Sequence, residues 1–178
     1  MAKIVRAIRE GIDNDGHALL VHPANDYHLI ADADAIAVTA YLRGQPPVVS
    51  EAFSRNLSTE LVFVIGAGQY PLAAQAPVAS VHASPDPGES MAHGKYLVSI
   101  AGCGDCHGAK LRGGPLQFPP DLIAIAGQWT REQFVQTLRT GKNPLGGGVG
   151  PQMPWQDFAR AYSDEELAAI YAYLRSFS

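Results

Sequence analysis

Cys103-Gly104-Asp105-Cys106-His107 places the chain's two cysteines three positions apart and sets a histidine directly after the second. On a helical turn, two thiols at this spacing can each add to a vinyl group of a haem, and the next imidazole then lies under the ring, where a nitrogen can bind the iron. C-x-x-C-H is the attachment sequence for c-type haem, so the pentapeptide predicts one covalently bound haem c. Three plainer chemistries compete. A thioredoxin-like redox pair needs a βαβ context, whereas the flanks here are helical and rich in Gly and Pro. A zinc site needs four ligands, and no second C-x-x-C or H-x₃₋₅-H follows to complete one. A disulfide between residues so close would close a tiny loop and stabilise little.

Positioning such a group requires helices, and composition says where they can lie. The 178 residues carry a formal net charge of −4 and are 47% hydrophobic, enough for a core and without the basic stripe that nucleic acid requires. Most of the 18 Gly and 13 Pro fall in 44–90 and 113–154, which marks those stretches as loops. The longest apolar run, Leu61 to Ala67, is far short of the roughly 20 residues that a membrane span needs. The opening Met1-Ala2-Lys3-Ile4-Val5-Arg6 also lacks the apolar centre of a signal peptide.

Helical periodicity is clearest at the C-terminus. Ser163 followed by Asp164-Glu165-Glu166 reads as a cap and acidic first turn, after which Leu167, Ile170, Tyr171, Leu174 and Phe177 recur on one face. Thr130 caps a second helix, in which Phe134, Val135 and Leu138 face inward until Gly141 ends it. A third runs from about His93 through Tyr96, Leu97 and Ile100 into the cysteine motif. The expected class is all-α, with three helices around a haem.

The first residues echo the last. Ile4–Gly11 parallels Phe134–Gly141, Thr39–Arg43 parallels Tyr171–Arg175, His22-Pro23 falls opposite Met153-Pro154, and Asp26-Tyr27 falls opposite Asp157-Phe158. Internal repetition of this kind predicts that residues 1–46 are the back half of a second copy of the 91–178 domain, without a haem-attachment sequence. A lone helix pair cannot bury its apolar stripes, so Ile4, Val5, Ile8, Val38 and Leu42 need a partner surface. Residues 47–90 read as an interdomain strap punctuated by Pro71, Pro77, Pro85 and Pro87. Leu61–Ile65 within it is apolar enough to be expected against a domain surface.

Residues 91–178 resemble a class I c-type cytochrome in the Gly94-Lys95-Tyr96 helix entry, Cys103–His107, the Pro119-Pro120 pair, the Met153-Pro154 loop and the aromatic C-terminal helix. The pairing of two such domains through a Pro-rich strap resembles multi-haem cytochrome subunits of bacterial membrane-bound dehydrogenases. The resemblance implies thioethers at Cys103 and Cys106, His107 as proximal iron ligand, and Met153 as distal ligand from the loop before the last helix. It places at Pro119 the carbonyl that accepts from the free nitrogen of His107, and offers Trp129, Arg139 and Trp155 as contacts to the haem or its propionates. His22, aligned with Met153, is a candidate distal ligand in an intact first domain, with His28 second to it. A surface or turn position is the commoner fate of such histidines. His17, His82 and His93 have no clustered partners and receive no role.

A sixth ligand from the protein closes the iron to substrates, and soft sulfur there stabilises the ferrous state. The function so implied is electron transfer as a non-catalytic subunit, relaying electrons from a dehydrogenase partner protein. A haem enzyme or small-ligand sensor with a displaceable distal ligand is the alternative, and Met153 discriminates the two. Residues 1–90 as a docking scaffold are compatible with the first. The resemblance also implies the periplasm, or the outer face of the bacterial cytoplasmic membrane with attachment through a partner. With no leader visible, the expectation is a fragment, a start lying upstream, or a removed leader.

Overall fold

The strongest helices form where side chains can satisfy their free ends. The computed structural model describes residues 2–20, 22–49, 57–70, 74–75, 77–78, 82–87, 90–114 and 119–178. At the start of α8 (Arg131–Thr140) the Thr130 hydroxyl accepts the Gln133 N–H while the Gln133 side chain accepts the Thr130 N–H, closing a capping box. Ser163 and Glu166 do the same for α10 (Asp164–Arg175). Gly141 ends α8 in the left-handed region at φ 69°, with its N–H bonded to the Thr137 carbonyl.

The chain divides into two compact units, residues 1–83 and 84–178. The first contains α1 (Ala2–Glu10), α2 (Ala24–Tyr27), α3 (Asp32–Gly44) and α4 (Thr59–Gly66). The second contains α5 (Ser90–Ile100), α6 (Cys103–His107), α7 (Leu122–Gln128), α8, α9 (Trp155–Ala161) and α10. Among the described residues the only bridges between extended segments are the isolated pairs Ile12–Ala18 and Lys142–Gly148, so the class is all-α.

One core organises the second unit. Leu97 and Val98 of α5, Ile123 and Ala126 of α7, Phe134 and Leu138 of α8, and Leu167, Ile170 and Leu174 of α10 are buried together with Leu111. Phe177, expected on the α10 stripe, lies past the end of that helix and is exposed, its ring set edge-on to Tyr173 at 5.1 Å. Where α5 crosses α10, a Cβ on Gly94 would lie 1.9 Å from the Ala169 carbonyl oxygen. Backbone cannot yield as a side-chain tip can, so Gly94→Ala is expected to cost about 2–3 kcal/mol through overpacking. Thermal unfolding checks this: a Tm lowered by about 10 °C is expected, and a Tm at or above that of the parent would show that the crossing is not tight.

The first unit repeats the back half of the second in backbone detail. Gly11 (φ 62°) ends α1 as Gly141 ends α8. In the loops that follow, the Leu19 N–H donates to Gly11 and the Val149 N–H to Gly141, at 2.7 and 2.8 Å. Asp13 Oδ1 accepts the N–H groups of Asp15 and His17, as Asn143 Oδ1 accepts those of Leu145 and Gly147. Pro23 (φ −79°, ψ 56°) and Pro154 (φ −80°, ψ 53°) precede α2 and α9. Arg9 pairs with Asp32 and donates to the Ile30 carbonyl, as Arg139 pairs with Asp164 and donates to the Tyr162 carbonyl. The Arg9 guanidinium hydrogen-bonds Asp32 and holds its carboxyl below the ordinary carboxylate range.

The stretch 44–90 is not all loop. Ser58 accepts the Leu61 N–H and starts α4, an apolar helix whose Val62 and Phe63 stand exposed rather than packed along a surface. Leu61, Val64 and Ile65 of the same helix are half-buried, so only part of the expected apolar run stands open, and the Ser58 cap satisfies one of the N–H groups left free at its start. Elsewhere the strap is tied to the first unit. Tyr70 donates to the Leu20 carbonyl, the Gln75 N–H to the Glu10 carbonyl, and the Asp32 N–H to the His82 carbonyl. Pro71 lies outside the described residues.

Candidate functional site

The cysteine motif forms its own turn of helix. Gly102, at φ 64°, breaks the chain away from α5, a conformation that a residue with a Cβ resists, and α6 then starts at Cys103. The two cysteines form no disulfide: Cys103 is half-buried against the core and Cys106 is exposed. His107, the last residue of α6, is buried.

The histidine is held by one hydrogen bond, and the loop around it is folded to supply that bond. The His107 Nδ1 lies 2.8 Å from the Pro120 carbonyl oxygen, so a proton on Nδ1 leaves the lone pair on Nε2. Pro119, expected as the acceptor, is one residue away from it. Its carbonyl instead takes the Gly114 N–H at 3.0 Å. The placement depends on Gly113, where a Cβ would lie 2.7 Å from the Pro119 oxygen and 3.1 Å from the Pro120 carbonyl carbon. Only a glycine lets 119–121 approach this closely, and Gly113 N–H also bonds back to the His107 carbonyl at 2.9 Å. Pro120 and Gly113 are thus the site residues that the sequence alone did not single out. A Gly-Gly pair ahead of Pro-Pro was the available signal.

Leu111, between His107 and that approach, is buried with a φ of 58°, which for a residue with a Cβ costs about 1–3 kcal/mol. Its carbonyl accepts the Leu122 N–H at 2.9 Å at the entry of α7, fixing the loop to the next helix. A cleft of about 370 Å³ opens beside it, lined by Leu111, Ile123, Tyr173 and Phe177 among others, and none of Cys103, Cys106, His107 and Met153 lines it.

Met153 sits in a turn rather than on a helix. Its N–H bonds to the Gly150 carbonyl at 3.0 Å, its own carbonyl accepts the Trp155 N–H at 2.8 Å, and its half-buried side chain packs on the same core as Cys103. Trp155 opens α9 with its indole over Gly141, where a Cβ would lie 2.4 Å from the ring, so this glycine is required twice, for φ and for space. Trp129 caps α7, is half-buried, and receives the Tyr171 hydroxyl on its carbonyl at 2.8 Å. Arg139 has a different employment from the expected propionate contact. Its Nε donates to Asp164, its Nη1 to the Ala159 carbonyl and its Nη2 to the Tyr162 carbonyl, clasping the end of α9 to the start of α10.

Two thiols one turn apart, a buried imidazole already committed at Nδ1, and a thioether in a Gly/Pro turn are donor types that could hold a haem: the thiols by adding to its vinyl groups, the nitrogen and the sulfur by binding iron. His22, His28 and His82 lie in the first unit. The first two each place one ring nitrogen on a backbone carbonyl, His22 Nε2 on Ile8 at 2.9 Å and His28 Nδ1 on Arg9 at 3.2 Å. His93 is buried in α5 with its ring stacked on Tyr96.

Residues 91–178 match the family described as cytochrome c. The chain is 32% identical over 96 residues to the cytochrome c subunit of the quinone alcohol dehydrogenase of Gluconobacter oxydans (strain 621H), covering 45% of this chain and 20% of that one. It is 27% identical over 195 residues to the fructose dehydrogenase cytochrome subunit of Gluconobacter japonicus, covering 96% of this chain and 40% of that one. It is 24% identical over 205 residues to the cytochrome c subunit of the quinone alcohol dehydrogenase of Gluconacetobacter polyoxogenes, covering 98% of this chain and 43% of that one. The chain therefore spans less than half the length of each of these three curated relatives.

Proposed function

Given that residues 91–178 belong to the class I c-type cytochromes, we propose that the chain carries electrons through one covalently bound haem ligated by His107 and Met153. The buried imidazole of His107 carries this reading: its hydrogen bond to Pro120 fixes the ring and leaves Nε2 for iron. Cys103 and Cys106 would hold the group by thioethers, each S–H adding across a vinyl double bond so that one C–S and one C–H bond form and no atom is lost. The group, when bound, supplies an iron that cycles between ferric and ferrous states.

The polypeptide does the rest. Met153 would offer a sulfur to the iron, which would favour the ferrous state and leave small molecules no open site. Trp155 over Gly141 and the Arg139 clasp hold the 141–164 segment from which Met153 projects.

The names of the relatives support a dehydrogenase as the electron donor. Among the described residues no helix is long and apolar enough to cross a membrane. Carbon monoxide tests the carrier reading. The reduced protein at neutral pH is expected to keep its visible spectrum unchanged under the gas, and ready formation of a carbon monoxide adduct would instead assign the open site of a haem enzyme or sensor.

A further inference from the structure

We propose that residues 1–44 are the distal half of a second haem site, in which a nitrogen of His22 takes the place that the Met153 sulfur takes in the second unit. This rests on Met153 being the ligand there. The two positions are equivalent in backbone. Each directly precedes a proline of the same φ and ψ, and the Ala24 N–H bonds to the His22 carbonyl at 2.8 Å as the Trp155 N–H bonds to the Met153 carbonyl at 2.8 Å.

The state of the ring fits a ligand. His22 Nε2 is committed to the Ile8 carbonyl at 2.9 Å, which leaves the lone pair on Nδ1. A ligating histidine is characteristically oriented by a backbone carbonyl on its other nitrogen, and His107 is held in the same way by Pro120.

The surroundings fit half a site. Val38 and Leu42 of α3 occupy the places of Ile170 and Leu174 in α10, yet they are 42% and 51% exposed where their counterparts are 4% and 0%. In the second unit α5 meets the corresponding face of α10, with Gly94 against Ala169. In the first unit Ala37 stands at the place of Ala169 and is exposed, so a glycine-bearing helix of the α5 kind is the occupant that its geometry matches. Such a helix leads into the haem-attachment turn. The chain's two cysteines are already used at 103 and 106, so the second haem hangs on a C-x-x-C-H segment outside residues 1–178. The fructose dehydrogenase subunit, matched over 96% of this chain, has room for one, since that match covers 40% of its own length.

Two imidazoles stabilise ferric iron more than an imidazole and a thioether do, so this haem would sit at the lower potential and pass its electron towards the haem of the second unit. The test uses the complete native gene product, isolated with its haems. Electron paramagnetic resonance of the oxidised protein is expected to show a low-spin signal of the two-imidazole type besides the His/Met signal, and redox titration a separate lower step. His22→Ala should abolish the two-imidazole signal. His22→Met, which keeps the fold's hydrophobic volume, should convert it to the His/Met type and raise the lower step. The signal that depends on Met153 should survive both, which separates this inference from the reading of the second unit. Signals and potentials unchanged in both His22 variants, a single haem per chain, or loss of the two-imidazole signal in His28→Ala instead, would each overturn the proposal.

Discussion

Replacement of Cys103 and Cys106 together by serine is expected to remove all covalently bound haem from residues 91–178. A serine hydroxyl does not add to a vinyl group as a thiol does, and the other cysteines needed to rescue attachment do not exist in the chain. His107→Ala should act at the same place by another route. It removes the imidazole whose Nδ1 is fixed by Pro120, and with it the nitrogen presented to iron. In both variants the second unit should also lose cooperative unfolding. Cys103 and Met153 line the same core as Leu97 and Phe134, and a group that binds only the folded state stabilises that state by mass action. Haem staining after denaturing electrophoresis reads the first effect, and thermal unfolding reads the second. Full, correctly ligated haem in either variant would contradict the assignment of these residues.

Met153→Ala should leave the haem attached and change what it does. With the sulfur gone, the reduced protein should bind carbon monoxide readily. The reduction potential should fall by on the order of a few tenths of a volt, a fraction of the roughly 0.8 V that axial ligands span. The sign follows from sulfur's preference for ferrous iron. The fold should survive, because Met153 lies in a turn closed by its own N–H on the Gly150 carbonyl and by the Trp155 N–H on its carbonyl, and because the Arg139 clasp does not involve it. Equilibrium redox titration and gas binding measure the two effects. An unchanged potential with no adduct would place the distal ligand elsewhere, Met91 being the other methionine of the family-matched segment.

What could be read from the sequence was local. Thr130 with Gln133 and Ser163 with Glu166 announce helix starts because a capping box is made entirely from residues three apart. The pentapeptide 103–107 is legible for the same reason, since its chemistry lies within one turn. The parallel between the two ends of the chain was legible because glycine stops and an X-Pro pair recur in order, and the backbone repeats them at Gly11 and Gly141 and at Pro23 and Pro154.

The misses are tertiary. Whether Pro119 or Pro120 meets His107 is decided by how closely Gly113 lets the chain approach, which residue spacing does not encode. Arg139 looked free to meet a propionate until the ends of α9 and α10 converged on it. The short helices α4 and α7 lie in stretches rich in Gly and Pro, where composition argues for loops. Ser58 and Asp121 cap them nonetheless, by accepting the Leu61 and Ala124 N–H groups. Phe177 continued the α10 periodicity on paper, but the helix ends at Arg175.

The most direct measurement is the far-red absorption of the oxidised protein, where a thioether sulfur on ferric haem iron gives its own weak charge-transfer band. Ligation by His107 and Met153 predicts that band in the parent protein and its disappearance in Met153→Ala with the haem still covalently bound. A spectrum without the band in the parent, or one that keeps it in Met153→Ala, would contradict a closed, sulfur-ligated electron carrier.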